Sequence, residues 1–385
     1  MTPRNDAPRS IFEFAPNLEA ALPWVRLADL PTPVRHLAKL EHALGAGGEL
    51  FQKCDDVTSP LYGGNKVRTL EILLGDAVRR GSTHVFSTGA YGSNHAAATI
   101  LHAPRVGLTA GALLYPQPES RSSHANLRLV LDRASAEVHG LAHWSALPFG
   151  MWAHARAARR SGKRATLMMP GGATPLGAIG YVSAALELAT QVHAGELPPP
   201  SAIVVAAGSN CTTAGLLVGI ALAVRRGLGF TQNGVAKPPR LVAVRVTPWP
   251  VTSRFRVLGL AQATSELLAT LAGDAKLACR KSELAALLEL DGSELGSGYG
   301  IGTEAGREAA RLWHDYTHAP LELTYSGKSA AAALARLRAK LPGPLVYWAT
   351  KSSAPLPAVS EHLPEDVPER MRRWLARAEK SEAGS

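Results

Sequence analysis

Residues 83–98, THVFSTGAYGSNHAAA, read as a β-strand that runs into a glycine-flanked turn and then an alanine-rich helix. The strand portion does not alternate polar with apolar residues, which is the pattern of a strand covered on both faces. In open α/β sheets ligands sit where such a strand ends and its helix begins, so Gly89 to His95 mark a candidate site. Ser93, Asn94 and His95 offer a hydroxyl, an amide and an imidazole beside free backbone N–H groups, a set suited to a carboxylate or a phenolic oxygen. Ser93 and Asn94 equally suit the cap of the helix that follows.

The same grammar recurs on either side. THVFSTG (83–89), TAGALLY (109–115), ATLMMP (165–170), AIVVAAG (202–208), RLVAVRV (240–246) and PLVYWAT (344–350) are strand candidates, with helical patterns at 65–80, 124–134, 177–192 and 212–226 between them. A β-α alternation predicts an α/β protein with parallel sheets. GELPPPS (195–201) and NGVAKPPR (233–240) are proline- and glycine-rich connectors where the chain is expected to divide. LPTPVRHLAKLEHALG (30–45) reads as an entry segment and one helix, and 361–385 as a charged amphipathic helix with a frayed end.

Three further turns carry chemistry. In SPLYGGNKVRTLE (59–71), Gly63 and Gly64 imply a tight turn opening a helix whose start favours anions. Lys66 sits there either as a surface lysine or as an amine that desolvation readies for Schiff-base formation. AAGSNCTTAGL (206–216) follows a buried strand and offers converging N–H groups and hydroxyls, an anion cradle that matches neither a P-loop nor a clean dinucleotide fingerprint. Cys211 within it reads as a small turn residue rather than a nucleophile. Tyr299 in GSGYGIGTEAG (296–306) and Tyr325 in LELTYSGKSAAAAL (321–334) stand in glycine-flanked, non-periodic contexts, and Thr350 ends the last strand in ATKSSAPLP (349–357).

Composition narrows the classes. A chain of 385 residues, 46% hydrophobic and 19% charged, is long enough to bury a full core. Its net charge of +10 is spread along helix faces such as HARAARRSGKR (154–164), without the basic and aromatic interleaving that nucleic-acid binding needs. Cys54, Cys211 and Cys279 fit no metal or disulfide spacing. The N-terminus lacks a signal-peptide apolar core and no stretch reaches membrane-spanning length. A soluble cytoplasmic protein without a metal site, a nucleic-acid partner or a membrane partner is expected.

Taken in order, LPTPVRHLAKL (30–40), LFQKCDDVTSPLYGGNKVRTLE (50–71), TGAYGSNHAAA (88–98), MPGGATPLGAIGYVSAALELA (169–189), AAGSNCTTAGL (206–216) and YSGKS (325–329) resemble the pyridoxal-phosphate enzymes of the D-cysteine desulfhydrase and 1-aminocyclopropane-1-carboxylate deaminase family, of the tryptophan-synthase-β fold group. The resemblance implies an α/β fold of two open, mainly parallel twisted sheets flanked by helices, with pyridoxal 5'-phosphate in the cleft between domains. It further implies a large domain from 1–60 and 185–360, a small domain at 61–184, and a homodimer. By the same carry-over, Lys66 would hold the cofactor as a Schiff base and Asn94 would donate to its phenolic oxygen. Ser93, Asn94 and His95 would meet the substrate carboxylate, with Ser93 assisting proton transfer. Gly208, Ser209, Asn210, Cys211, Thr212 and Thr213 would bind the phosphate. Tyr299 and Tyr325 would act on the substrate side of the ring.

One position separates the branches of this family. The deaminase branch carries a glutamate at the ring nitrogen after the tyrosine of YxGK, whereas this chain has Ser326, with Thr350 the other hydroxyl expected there. A hydroxyl leaves the ring a weaker electron sink, adequate for expelling a good leaving group from Cβ. The expectation is therefore α,β-elimination from a small cysteine- or serine-like amino acid. Ring opening of the cyclopropane, a specialised β-replacement and a non-catalytic cofactor-binding relative are the alternatives. ATKSSAP replaces the family's glycine turn after the last strand, and GGAT at 171–174 replaces a GGSN-like turn, so the substrate is open to differ from D-cysteine.

Overall fold

The strands that read as covered on both faces lie inside layered sheets, and AIVVAA at 202–207 is buried at every position. The computed structural model describes residues 9–46, 48–340 and 343–383, so the opening of the N-terminal stretch and the last two residues of the tail lie outside the described residues. The strands are, in chain order, β1 Val34–His36, β2 Leu50–Lys53, β3 His84–Ala90, β4 Thr109–Tyr115, β5 Val138–Gly140, β6 Ala165–Leu167, β7 Ala202–Ala207, β8 Thr231–Gln232, β9 Val235–Ala236, β10 Arg240–Arg245, β11 Leu288–Asp291 and β12 Leu345–Trp348.

A six-stranded sheet has the order β1-β2-β12-β7-β10-β11 and a four-stranded sheet the order β5-β4-β3-β6. Neighbours are parallel throughout both sheets except β1 against β2. The chain thus begins the large sheet, leaves after β2 to build the small one, and returns at β7. GELPPPS does lie between the two sheets, but NGVAKPPR does not divide the chain: it carries β9 of a hairpin between two neighbouring strands of the large sheet. The entry segment ahead of its one helix also carries a strand that the pattern does not suggest, since Val34–His36 pairs along β2 as a short antiparallel edge.

Three helices bring the functional turns together: Lys66–Arg79, Pro175–His193 and Cys211–Arg225. They pack backbone to backbone through glycines. A Cβ on Gly180 would lie 2.3 Å from the Arg68 carbonyl, and one on Gly215 would lie 2.2 Å from the Ala178 carbonyl, so neither position admits a larger residue. The middle helix is buried along nearly its whole length and mostly apolar, with Glu187 the one charged carboxylate it carries inward.

Beneath Lys66 this packing encloses a charged cluster. Arg68 is bidentate on Asp55 at 2.8 and 3.0 Å and reaches both oxygens of Glu187 at 2.8 and 3.0 Å. Lys53 Nζ lies 2.5 Å from Glu187, and Tyr181 and Trp348 donate to Asp55 at 2.6 and 2.8 Å. Burial alone would raise the Glu187 pKa, but Arg68 and Lys53 overcome it and hold the carboxylate well below its usual range.

The helix Glu369–Ala383 confirms the amphipathic reading of the tail, starting eight residues later than the pattern suggests. Met371, Trp374 and Leu375 are buried against the small sheet, with Trp374 edge-on to Tyr91 and donating to the Gln117 carbonyl at 2.9 Å.

Candidate active site

The turn GGNK is held in place before it presents its lysine. The Gly64 N–H donates to the Asp55 carbonyl at 2.8 Å, and the Asn65 N–H to the Thr350 carbonyl at 2.9 Å. Lys66 is the first helical residue, and among the described residues its amine makes a single hydrogen bond, to the Gly171 carbonyl at 3.3 Å. The residue is half-buried, and desolvation by burial lowers its pKa, partly opposed by the nearby Cys211 thiol. An amine without a carboxylate partner is poised to be neutral and nucleophilic.

Gly171 and Gly172 both have left-handed φ, and a Cβ on Gly171 would lie 2.4 Å from Ser209 Oγ and 3.5 Å from Lys66 Nζ. The 206–216 turn and the lysine therefore meet across that glycine. Asn210 caps the helix Cys211–Arg225 at φ +71°, a conformation asparagine tolerates. Its amide holds the Val251 carbonyl at 2.8 Å, while Thr247 and Thr252 donate to the Gly208 carbonyl at 3.1 and 2.7 Å. With those carbonyls turned back, the N–H groups of the first helical turn are left for an anion. Thr212 Oγ1 accepts from the Asn65 amide at 3.0 Å, and the Thr213 hydroxyl, fully buried, has no partner among the described residues. Cys211 donates to the Gly172 carbonyl at 3.3 Å and burial pushes its pKa up, which agrees with a turn residue rather than a nucleophile.

The capping reading of the 88–98 turn holds. Ser93 caps the helix Asn94–His102, accepting from the Ala96 N–H at 3.2 Å, and its own proton stays available to a ligand. His95 is buried with neither ring nitrogen partnered among the described residues, and burial with the nearby Lys66 lowers its pKa to about 3. It is a neutral imidazole that can donate one hydrogen bond, not a cation. Tyr299 and Tyr325 meet at 2.8 Å through their hydroxyls, with burial raising both pKa values above the usual range. Lys328 fixes the Tyr299 loop by donating to the Leu295 and Gly298 carbonyls at 2.8 and 3.1 Å. Tyr325 also reaches the anion turn: a Cβ on Gly208 would lie 3.1 Å from its ring.

Ser326 and Thr350 are both buried. The carboxylate closest in sequence, Glu322, is consumed as a cap, accepting from the N–H groups of Thr324, Tyr325 and Ser326 at 2.7, 2.7 and 2.8 Å.

Residues the sequence did not single out complete the site. Tyr115 lies close enough to both Tyr299 and Tyr325 to act on their titration, and its signal was its place at a strand end. Tyr62, Asn126 and Lys351 converge on Asn94. Lys351 had registered as an intrusion into a glycine turn, and Tyr62 and Asn126 gave no signal that spacing could reveal.

The donor set fits pyridoxal phosphate. It comprises an unpaired amine, a helix-start cradle with a spare buried hydroxyl, and glycines whose missing Cβ keeps the two adjacent. Comparisons agree. Residues 25–350 match the family model described as pyridoxal-phosphate dependent enzyme. D-cysteine desulfhydrases of Salmonella paratyphi C and Salmonella choleraesuis are each 31% identical over 348 residues, 89% of this chain and 97% of theirs. A crystal structure of an ACC deaminase homologue superposes with TM-score 0.71 at 28% identity, covering 90% of this chain and 95% of that one. A fungal L-serine ammonia-lyase from Rhizomucor miehei, at 17% identity and TM-score 0.51 over 90% and 98% of the two chains, shares the fold.

Proposed function

The chain belongs to the pyridoxal-phosphate dependent enzymes, in the group that includes D-cysteine desulfhydrase and ACC deaminase, and from that premise we propose that it eliminates the β substituent of a small cysteine- or serine-like amino acid. The products are pyruvate, ammonia and the departing group, which for cysteine is hydrogen sulfide. The observation that carries the choice of reaction is position 326, where a buried serine stands and the nearby Glu322 is spent on backbone N–H groups.

The bound cofactor supplies the electron sink for loss of the Cα proton and the β bond. Lys66 would hold it, and its amine, whose pKa burial lowers, would take the Cα proton at Nζ. The 208–213 turn would hold the phosphate. Ser93 and the neutral His95 donate to the substrate carboxylate, and the Tyr299–Tyr325 pair presents hydroxyls that stay protonated on the substrate side. A homodimer in the cytoplasm is part of this reading.

Purified protein is offered D-cysteine, L-cysteine, β-chloroalanine and 1-aminocyclopropane-1-carboxylate, and keto acids are identified. Pyruvate from the first three is expected. Release of 2-oxobutyrate from the cyclopropane as the dominant activity would overturn the choice in favour of ring opening.

A further inference from the structure

The geometry points to Lys351 as a positioning residue that locks the Asn94 amide with its NH2 group free for a ligand, and that places a positive charge one hydrogen bond behind it. The inference rests on the cofactor reading above and extends it to a residue outside the turns that reading uses.

The orientation of Asn94 follows from its neighbours. Asn126 Nδ2 donates to the Gly92 carbonyl at 3.0 Å, and a carbonyl can only accept, so that atom is the amide nitrogen. The same nitrogen lies 2.8 Å from Asn94, which must there present Oδ1. Lys351 Nζ, a donor without acceptor capacity, lies 2.9 Å from that same Oδ1, and Tyr62 Oη adds a third contact at 3.0 Å. With Asn126 and Lys351 both donating to its oxygen, and the Tyr62 proton shared between that oxygen and Asn126 Oδ1 at 3.2 Å, the amide cannot flip, and its Nδ2 has no partner among the described residues.

Lys351 has no hydrogen left for anything else. Its amine donates to Tyr62 Oη at 2.7 Å and Asn94 Oδ1 at 2.9 Å, leans on Asn126 Oδ1 at 3.4 Å, and stands 4.9 Å from the centre of the Tyr62 ring. Tyr62 and Asn126 are 1% exposed while Lys351 and Asn94 are half-buried, so protein covers the cation on the side where it meets the two buried partners. Backbone pairing of Gly64 with Lys351 ties this cation to the turn that presents Lys66. A lysine bound in this way acts through Asn94 rather than on substrate.

An Asn94 NH2 backed by a cation withdraws negative charge from the ring oxygen it meets, and so weakens the hold on the proton of the Lys66 linkage. Removing the cation raises the pH at which the visible absorbance of the holoenzyme changes. The test titrates that band from pH 6 to 10.5 in the native holoenzyme and in Lys351→Met and Lys351→Arg. The expected result is a midpoint on the order of one pH unit higher in Lys351→Met, and one unchanged in Lys351→Arg. A midpoint common to native and Met proteins, a band that does not titrate in either, or an Arg variant that shifts as far as Met overturns the inference. If Lys351→Met does not fold, Lys351→Gln carries the test: an upward shift supports the assignment and an unmoved midpoint overturns it. A native protein that takes up no cofactor and has no visible band instead defeats the reading on which the inference rests.

Discussion

Lys66 and Arg68 stand two residues apart on one helix, yet their surroundings differ in kind. Arg68 is saturated by Asp55 and Glu187, with Lys53 completing a buried network in which every charge is paired. Lys66, facing the cleft, has one carbonyl for company. In both places burial penalises charge. Where carboxylates answer it the cations remain and tie the helices Lys66–Arg79 and Pro175–His193 to strand β2; where none does, the amine is left readier to give up its proton. The network is what lets the helix start stay rigid while its first side chain is left unsatisfied.

The largest effect is expected at the unsatisfied side. Lys66→Ala should remove keto-acid formation by at least about a thousandfold and abolish the visible band, while leaving denaturant stability within about 1 kcal/mol. A coloured, active Lys66→Ala protein would erase the contrast. On the saturated side, Arg68→Ala strands two buried carboxylates and should cost about 3–5 kcal/mol in urea unfolding. A loss below about 1 kcal/mol would mean that water already reaches the cluster.

Acid sharpens the same contrast. Because the folded Glu187 pKa is depressed, its contribution is present above the unfolded carboxylate range, near pH 4.3, and is lost as pH falls toward the folded value. Unfolding midpoints should therefore fall from pH 5 to pH 3, and fall less steeply in Glu187→Gln, which lacks this titration. Equal slopes would contradict it. Smaller still is Thr213→Val, which removes the spare buried hydroxyl of the anion turn and should weaken cofactor retention about tenfold, read as the dissociation constant of cofactor added back to apoprotein.

Legibility in the sequence followed local chemistry. TAGALLY is β4 residue for residue, and AIVVAAG and PLVYWAT contain β7 and β12, because strands buried on both faces write themselves as unbroken apolar runs. VRH at 34–36 was silent, being three residues of edge strand whose pairing depends on β2. The turns at 63–66, 88–95 and 206–213 announced themselves through glycine and hydroxyl punctuation, and resemblance to a family joined them. What could not be read was convergence: Tyr62, Asn94, Asn126 and Lys351 are spread over almost 290 positions and meet through three-dimensional packing. Lys351 looked like damage to a glycine turn because its partners were invisible. Likewise, Glu322 could not be seen to be occupied as a cap until its N–H donors were placed.

The tail helix bears on the 88–95 turn. Trp374 grips the Gln117 carbonyl, and the Gln117 side chain accepts from the Gly92 N–H at 3.2 Å, one residue before the serine that caps the ligand-facing helix. The last element of the chain is thus a buttress behind the first ligand-facing turn. Loosening this helix would reach the 88–95 turn through two hydrogen bonds.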